Sequence, residues 1–137
     1  MRFINDSKAT NTQATEQALK AFPRVYWIAG GKAKADGLGG LAPLFPRIAK
    51  AYLIGEAQDD FADTLKAKAP AVKCGTLENA VLSALRDAKE ADEPDPVILL
   101  SPACASFDQF KDFEARGDAF RNIVHGLIGK DAMMEPA

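Results

Sequence analysis

Residues 97–117, VILLSPACASFDQFKDFEARG, decide the fold. The opening run from Val97 to Leu100 is short, branched and uncharged, which reads as a buried strand. Pro102 cannot continue a central strand, and the small residues around it carry the chain through a tight turn. Ser106 stands three residues before Gln109, the spacing of a capping box, so a helix is expected to start there. Phe110, Phe113, Phe120, Val124 and Leu127 then recur on one side of that helix, which Gly117 interrupts at some cost in propensity. Strand, small-residue turn and capped helix together make the place where an α/β protein aims backbone N–H groups at an anion. The same serines also suit plain turn and cap duty.

Outward from this stretch the alternation repeats. Residues 2–5 predict a short edge strand, and NDSKATN, residues 5–11, turns it into a helix. Thr10 and Gln13 have capping-box spacing; Ala14, Ala18, Leu19 and Phe22 form the apolar face, and Pro23 ends the helix. Residues 24–29 are β-branched and aromatic, a second strand, after which Gly30-Gly31 allows a sharp turn and a close approach. Beyond a loop rich in Gly, Lys and Ala, the spacing of Leu41, Leu44, Phe45, Ile48 and Ala49 predicts a helix whose start Pro43 and Pro46 distort. Residues 51–54 read as a third strand, ended by Gly55, and Asp59 or Asp60 as the cap of a helix carrying Phe61 and Leu65. A weak fourth strand at 71–74 leads to Thr76, expected to cap a long helix with Leu77, Val81, Leu85 and Ala88 inward. Its charged end reads as a solvated face, and residues 93–96 as a linker. Residues 1–130 are thus expected as one domain and 131–137 as a frayed tail.

Alternating strands and helices imply an α/β, three-layer Rossmann-like domain: a mostly parallel sheet with helices on both faces. In such a sheet the loops NDSKAT, GGKAK, GEAQDD, CGT and SPACAS leave from one edge, the carboxyl end, where open α/β folds bind ligands. Thr10, Lys34 and Ser106 therefore share one rim. A lysine, two hydroxyls and helix-start N–H groups suit carboxylates or phosphates.

Composition narrows the function further. With 137 residues, 47% apolar and 26% charged, the chain has enough material for one core. A net charge of −2 and few aromatics argue against a nucleic-acid partner. No stretch approaches the roughly 18 apolar residues of a membrane span, and the N-terminal residues lack a signal-peptide pattern. Cys74 and Cys104 lack ligand-like spacing, which points to reduced thiols in a cytoplasmic protein and to no metal site. His125 is the single histidine and lies in a helical pattern, so a Ser-His-Asp arrangement has no separate histidine to draw on. No G-x-x-x-x-G-K-[ST] phosphate loop is present: Gly129-Lys130 is followed by Asp131, and GGKAK has the wrong spacing.

SPACASFDQFKDFEARG closely resembles the C-terminal signature of the Mur ligases that add D-glutamate, the UDP-N-acetylmuramoyl-L-alanine:D-glutamate ligases. NDSKATN and GGKAK agree with that family in order and spacing. The resemblance spans most of the chain but covers only the family's third domain. It implies the C-terminal domain of a cytoplasmic, ATP-dependent ligase of peptidoglycan synthesis. In such ligases a central domain holds ATP and Mg2+ and an N-terminal domain holds the UDP-sugar. ATP phosphorylates the carboxylate of UDP-N-acetylmuramoyl-L-alanine, and the D-glutamate amine attacks the acyl phosphate. The implied partners are D-glutamate and the two other domains. ATP and Mg2+ belong to the full-length enzyme, with none bound by this piece alone and no catalytic residue or turnover in the isolated domain.

Residue by residue, the resemblance implies that Thr10, Lys34, Ser106 and the backbone at Phe107 hold D-glutamate, with Phe113 lining the same pocket. It puts Asp6 at the ATP ribose and Lys8 beside the phosphates. Two departures stand out. Many members carry a GGxxKGxD-like segment, whereas this chain reads GGKAKAD, so Lys32 rivals Lys34; and Phe107 replaces a common leucine. Local pattern leaves plainer roles open: a helix cap for Thr10, a solvated loop for Lys34, a core position for Phe113 and a helix-dipole contact for Asp6. The start at Met1-Arg2, directly before a strand, suits a domain cut from a longer ligase. A free-standing, non-catalytic anion-binding module of the same fold is the alternative, and a sister ligase is disfavoured because no DNPR-type segment is present.

Overall fold

Every strand of the sheet is parallel to its neighbours, and helices cover both faces. In the computed structural model, which describes all residues but Lys34, Asp36, Asp131 and Ala137, the strands are β1 (Arg2–Asn5), β2 (Val25–Gly30), β3 (Ile48–Ile54), β4 (Ala71–Gly75), β5 (Val97–Leu100) and β6 (Met134–Pro136). Their spatial order is β4-β3-β2-β5-β1-β6. Four α-helices, α1 (Thr12–Ala21), α2 (Gln58–Leu65), α3 (Leu77–Ala91) and α4 (Phe113–Ile128), join a 3-10 segment at Gly39–Arg47. The pleat sorts the core into two halves. Ile4, Trp27, Ala29, Leu53 and Leu99 turn toward α1, the 3-10 segment and α2, while Phe3, Ile28, Tyr52, Ile98 and Leu100 turn toward α3 and α4. Both β2 and β5 are buried at every position, which explains their unbroken apolar runs. The expected three-layer α/β fold is therefore the one observed.

Three local expectations are corrected. The frayed tail at 131–137 contains β6, paired with β1 in the register Phe3↔Met134, Ile4↔Glu135 and Asn5↔Pro136. Arg2 fixes it, donating to both Glu135 carboxylate oxygens at 2.8 Å, so β1 has a neighbour on each side instead of lying at the edge. Between residues 41 and 49 the α-helix is replaced by 3-10 turns: Pro43 and Pro46 lack N–H donors and clash with an α turn, and Ile48 and Ala49 already belong to β3.

The third correction concerns caps. Asn11, not Thr10, caps α1, accepting from Ala14 N at 2.9 Å. Asp112, not Ser106, caps α4, accepting from Ala115 N at 2.7 Å. At the start of α2 the cap position is Ala57, with Asp59 and Asp60 inside the first turn. Thr76 does cap α3, accepting from Asn79 N at 3.3 Å. Among the described residues no helix is long and apolar enough to cross a membrane.

Topology places the site. The chain leaving β1 enters α1 and the chain leaving β2 enters the 3-10 segment, both on the first face; the chain leaving β5 enters α4 on the second. β5 lies between β1 and β2, so the loops diverge there and a crevice opens at the carboxyl ends of these three strands.

Candidate functional site

Ser101, the first residue past β5, holds the floor of this crevice together. Its N–H donates to Ile28 O at 3.2 Å and its carbonyl accepts from Trp27 Nε1 at 2.8 Å. Its hydroxyl donates to Asp6 Oδ2 at 2.8 Å and lies 3.0 Å from Thr15 Oγ1, so one small side chain joins β5 to the β1 loop and to α1. Burial pushes the Asp6 carboxyl above its ordinary value, against the opposing pulls of the Ser101 hydroxyl and the Lys8 charge.

The glycine turn packs onto the same loop. Gly30 N donates to Pro102 O at 3.0 Å and Lys32 N to Ala105 O at 2.9 Å. Gly31 has φ +141°, and a Cβ there would sit 2.5 Å from Ala105 O and 3.0 Å from Cys104 Cβ. Only glycine fits that junction. The β3 loop arrives from the other side: Asp108 Oδ2 accepts from Glu56 N at 3.0 Å, in the space a side chain on Gly55 would fill.

Beneath these loops lies Arg116, which is 1% exposed. Its guanidinium donates to Ser7 Oγ at 3.0 Å, Ser7 O at 2.7 Å and Cys104 O at 2.9 Å. Ser7 Oγ in turn donates to Phe113 O at 2.7 Å, so α4, the β1 loop and the β5 loop meet at one side chain. All three acceptors are neutral. Burial lowers the Arg116 pKa to about 10, with Cys104 and Asp108 opposing, which leaves the group positively charged at neutral pH. A buried cation thus sits under the crevice, where it favours bound anions.

Two oxygens at the rim have unmet hydrogen bonds. Ser106 Oγ and Asp108 Oδ1 are buried and without a hydrogen-bond partner among the described residues, and Ser106 is only 2% exposed. Phe107 between them is 70% exposed. Polar atoms inward and an aromatic ring outward invert the usual arrangement of a loop.

Beside the crevice, a cleft of about 430 Å³ has Lys8, Ser7 and Asn5 at its floor, Phe113 and Gly117 of α4 on one wall and Met134 to Pro136 of β6 on the other. The sequence-expected residues therefore divide. Ser106 is buried next to the crevice, Thr10 is half-buried at the end of the β1 loop, and Lys8 is exposed. Phe113, 40% exposed, faces the cleft that Lys8 lines. Asp6 is buried and bound to Ser101, while Lys34 falls outside the described residues. Lys32 is turned aside, 3.3 Å from a Glu56 carboxylate oxygen.

Sequence reading missed Arg116 and Asp108. A signal for the arginine existed: positions 116, 120 and 124 share one face of α4, so a charge there falls on the apolar stripe with Phe120 and Val124. For Asp108 no such signal exists, because the contacts that hold its carboxylate come from loops far apart in the chain.

The comparisons with known proteins fit this geometry. The family model described as "Mur ligase, glutamate ligase domain" matches residues 1–104. The UDP-N-acetylmuramoylalanine--D-glutamate ligase of Caulobacter sp. (strain K31) is 59% identical over 132 residues, 96% of this chain and 28% of that protein. The enzyme of the same name from Caulobacter vibrioides (strain NA1000 / CB15N) is 61% identical over 127 residues, 93% of this chain and 27% of its own length. That from Phenylobacterium zucineum (strain HLK1) is 59% identical over 132 residues, again 96% of this chain and 28% of the relative. The chain spans a little over a quarter of these relatives. With its parallel sheet, its crevice loops and a family match covering three-quarters of its length, the chain belongs to the Mur ligase glutamate ligase domain family.

Proposed function

We propose that this domain binds D-glutamate and presents its amine during ATP-dependent addition of D-glutamate to UDP-N-acetylmuramoyl-L-alanine, as part of a longer cytoplasmic ligase of peptidoglycan synthesis. One observation carries the reading: Ser106 Oγ is buried, without a hydrogen-bond partner among the described residues, beside a crevice that overlies the Arg116 cation. An orphaned hydroxyl over a buried positive charge suits a carboxylate, and Thr10 stands half-buried at the end of the neighbouring β1 loop. The names of the relatives supply D-glutamate as the dicarboxylate.

ATP, which the rest of the ligase would hold with Mg2+, would supply the phosphoryl group that activates the acceptor carboxylate. Lys8, exposed where it lines the cleft, fits a place beside phosphates. Asp6 fits a ribose contact poorly as it stands, because its carboxylate is closed in and held by Ser101. This chain's own work is positioning: Thr10, Lys34, Ser106 and the Phe107 backbone hold the carboxylates so that the amine points outward. Phe107 and Phe113 exclude water when another domain covers them.

The test is an amide-shift NMR titration of the 137-residue chain with D-glutamate and, separately, L-glutamate. Shifts confined to residues 6–11, 30–36 and 101–113, with weak, millimolar affinity and preference for the D isomer, are expected, since closure against other domains supplies the remaining organisation. Shifts that avoid those segments refute the reading. The chain alone is expected to show no ATP-dependent ligation, and turnover by pure material overturns the proposed division of labour.

A further inference from the structure

Two of the five rim loops, GEAQDD after β3 and CGT after β4, have no task in the D-glutamate reading. They meet at Gly75, where the register of β3 and β4 slips and the backbone has a φ of +79°. Both polar groups of that residue are engaged. Gly75 N donates to Gln58 Oε1 at 3.1 Å, and Gly75 O accepts from Gly55 N at 3.0 Å and from Gln109 Nε2 at 2.8 Å. A carbonyl oxygen has two lone pairs, so its capacity is filled.

Gln109 reaches this peptide from the turn that follows β5. The turn closes on itself, Ser106 O accepting from Gln109 N at 3.1 Å and from Phe110 N at 2.8 Å, but it belongs to no helix or strand. It is tied to the two loops by the Gln109 bond and by the bond from Glu56 N to Asp108 Oδ2 at 3.0 Å. Phe107 within it is 70% exposed, and its N–H donates to none of the described residues. This part of the turn is open to a carboxylate as it stands.

We infer that the β3 and β4 loops brace the turn that meets D-glutamate, with Gln109 and Gln58 as positioning residues that act through the Gly75 peptide. The inference rests on the D-glutamate reading and deepens it. Neither glutamine carries charge, and neither is assigned a contact with the ligand. Their effect is to fix the Phe107 backbone before the amino acid arrives, so the turn is ordered by folding and not at the expense of binding. The amine meets no part of the brace and stays outward. Gln109 is exposed, and so is its bond to Gly75, so losing that bond costs the fold little while it frees the turn.

The experiment uses Gln109→Met, Gln58→Met and the double variant of the 137-residue chain. Methionine keeps the length and neutrality of glutamine and removes its hydrogen bonds. The measurements are heteronuclear NOEs of the amides of residues 106–110 without ligand, and D-glutamate affinity by amide-shift titration. Gln109→Met is expected to lower the NOEs of the turn and to weaken D-glutamate binding about three- to tenfold. Gln58→Met is expected to act in the same direction but less, and the double variant to lose less than the product of the two single losses, because both act through one peptide. Unchanged affinity in Gln109→Met overturns the inference whatever its stability in urea, for the glutamine is then a structural tie only. So does weaker binding with the NOEs unchanged, and so do single losses that simply multiply. A wild type that binds no D-glutamate refutes the D-glutamate reading itself, a result distinct from a wild type and variants that bind equally well.

Discussion

Replacing Arg116 separates the cost of its charge from the value of its hydrogen bonds. Burial holds its pKa down at about 10, a shift that corresponds to about 3 kcal/mol for keeping the charge buried. Arg116→Met removes that cost but strands Ser7 O and Cys104 O, each worth about 1–3 kcal/mol when left unsatisfied. Ser7 Oγ keeps its bond to Phe113 O, so it adds little. The net loss for methionine is expected between about zero and 3 kcal/mol. Arg116→Lys is the nominally conservative change, and it should be worse. The ammonium keeps a buried charge yet lacks the planar fork that reaches three acceptors at once, so a loss of about 3–5 kcal/mol is expected. Urea denaturation of the chain at pH 7, with the slopes of the two variants compared, measures both. A lysine variant more stable than the methionine variant refutes the reasoning, for it means that the charge and not the fork geometry keeps arginine in place.

Three further outcomes follow from the same contacts. Gly31→Ala places a Cβ against Ala105 O at a φ of +141°, and is expected to cost about 2 kcal/mol or more and to shift the amides of residues 30–33 and 104–106; a change within about 0.5 kcal/mol refutes the close packing of these loops. Asp6→Asn tests the raised carboxyl. Because the folded pKa lies above the unfolded one, the folded state binds the proton more tightly, and this group's contribution to stability falls as pH rises between the two values. The amide is therefore expected to match or exceed the wild-type melting temperature at pH 7 and to lose that advantage in acid, whereas an advantage that grows in acid reverses the sign. Glu135→Gln breaks a half-exposed ion pair, so at most about 1 kcal/mol is expected, diminishing in high salt, with faster amide exchange in β6 as the direct readout.

How much was legible depended on whether the cause was local. The strands at 24–29 and 97–100 were readable because both faces are covered, so every side chain must be apolar. Thr76 was readable as a cap because the helix behind it has a strong apolar stripe that fixes its start. Thr10 and Ser106 were misplaced as caps because Asn11 and Asp112 offer the same chemistry nearby, and packing of α1 and α4 decides which one begins the helix. The tail could not be read as a strand: three residues ending in proline have no pattern of their own, and pairing to β1 with the Arg2–Glu135 contact creates it. Shared placement of the rim loops followed from alternation alone, but the bonds that tie them run through Arg116 and Asp108, whose partners lie in other segments.

The polar groups around the crevice fall into two sets, a satisfied floor and an unsatisfied rim. Ser101, Asp6, Thr15, Ser7 and Arg116 satisfy one another and make a rigid floor. Ser106, Asp108, Lys8 and Phe107 do not: two oxygens lack partners among the described residues, an ammonium is exposed and so is an aromatic ring. Each orphaned oxygen costs about 1–3 kcal/mol, a large fraction of the 5–15 kcal/mol that holds a typical domain together. Such a cost persists where a partner relieves it, which is why the proposed ligand contact is assigned to this part of the rim. A rigid floor is what the proposed holding of an amino acid requires.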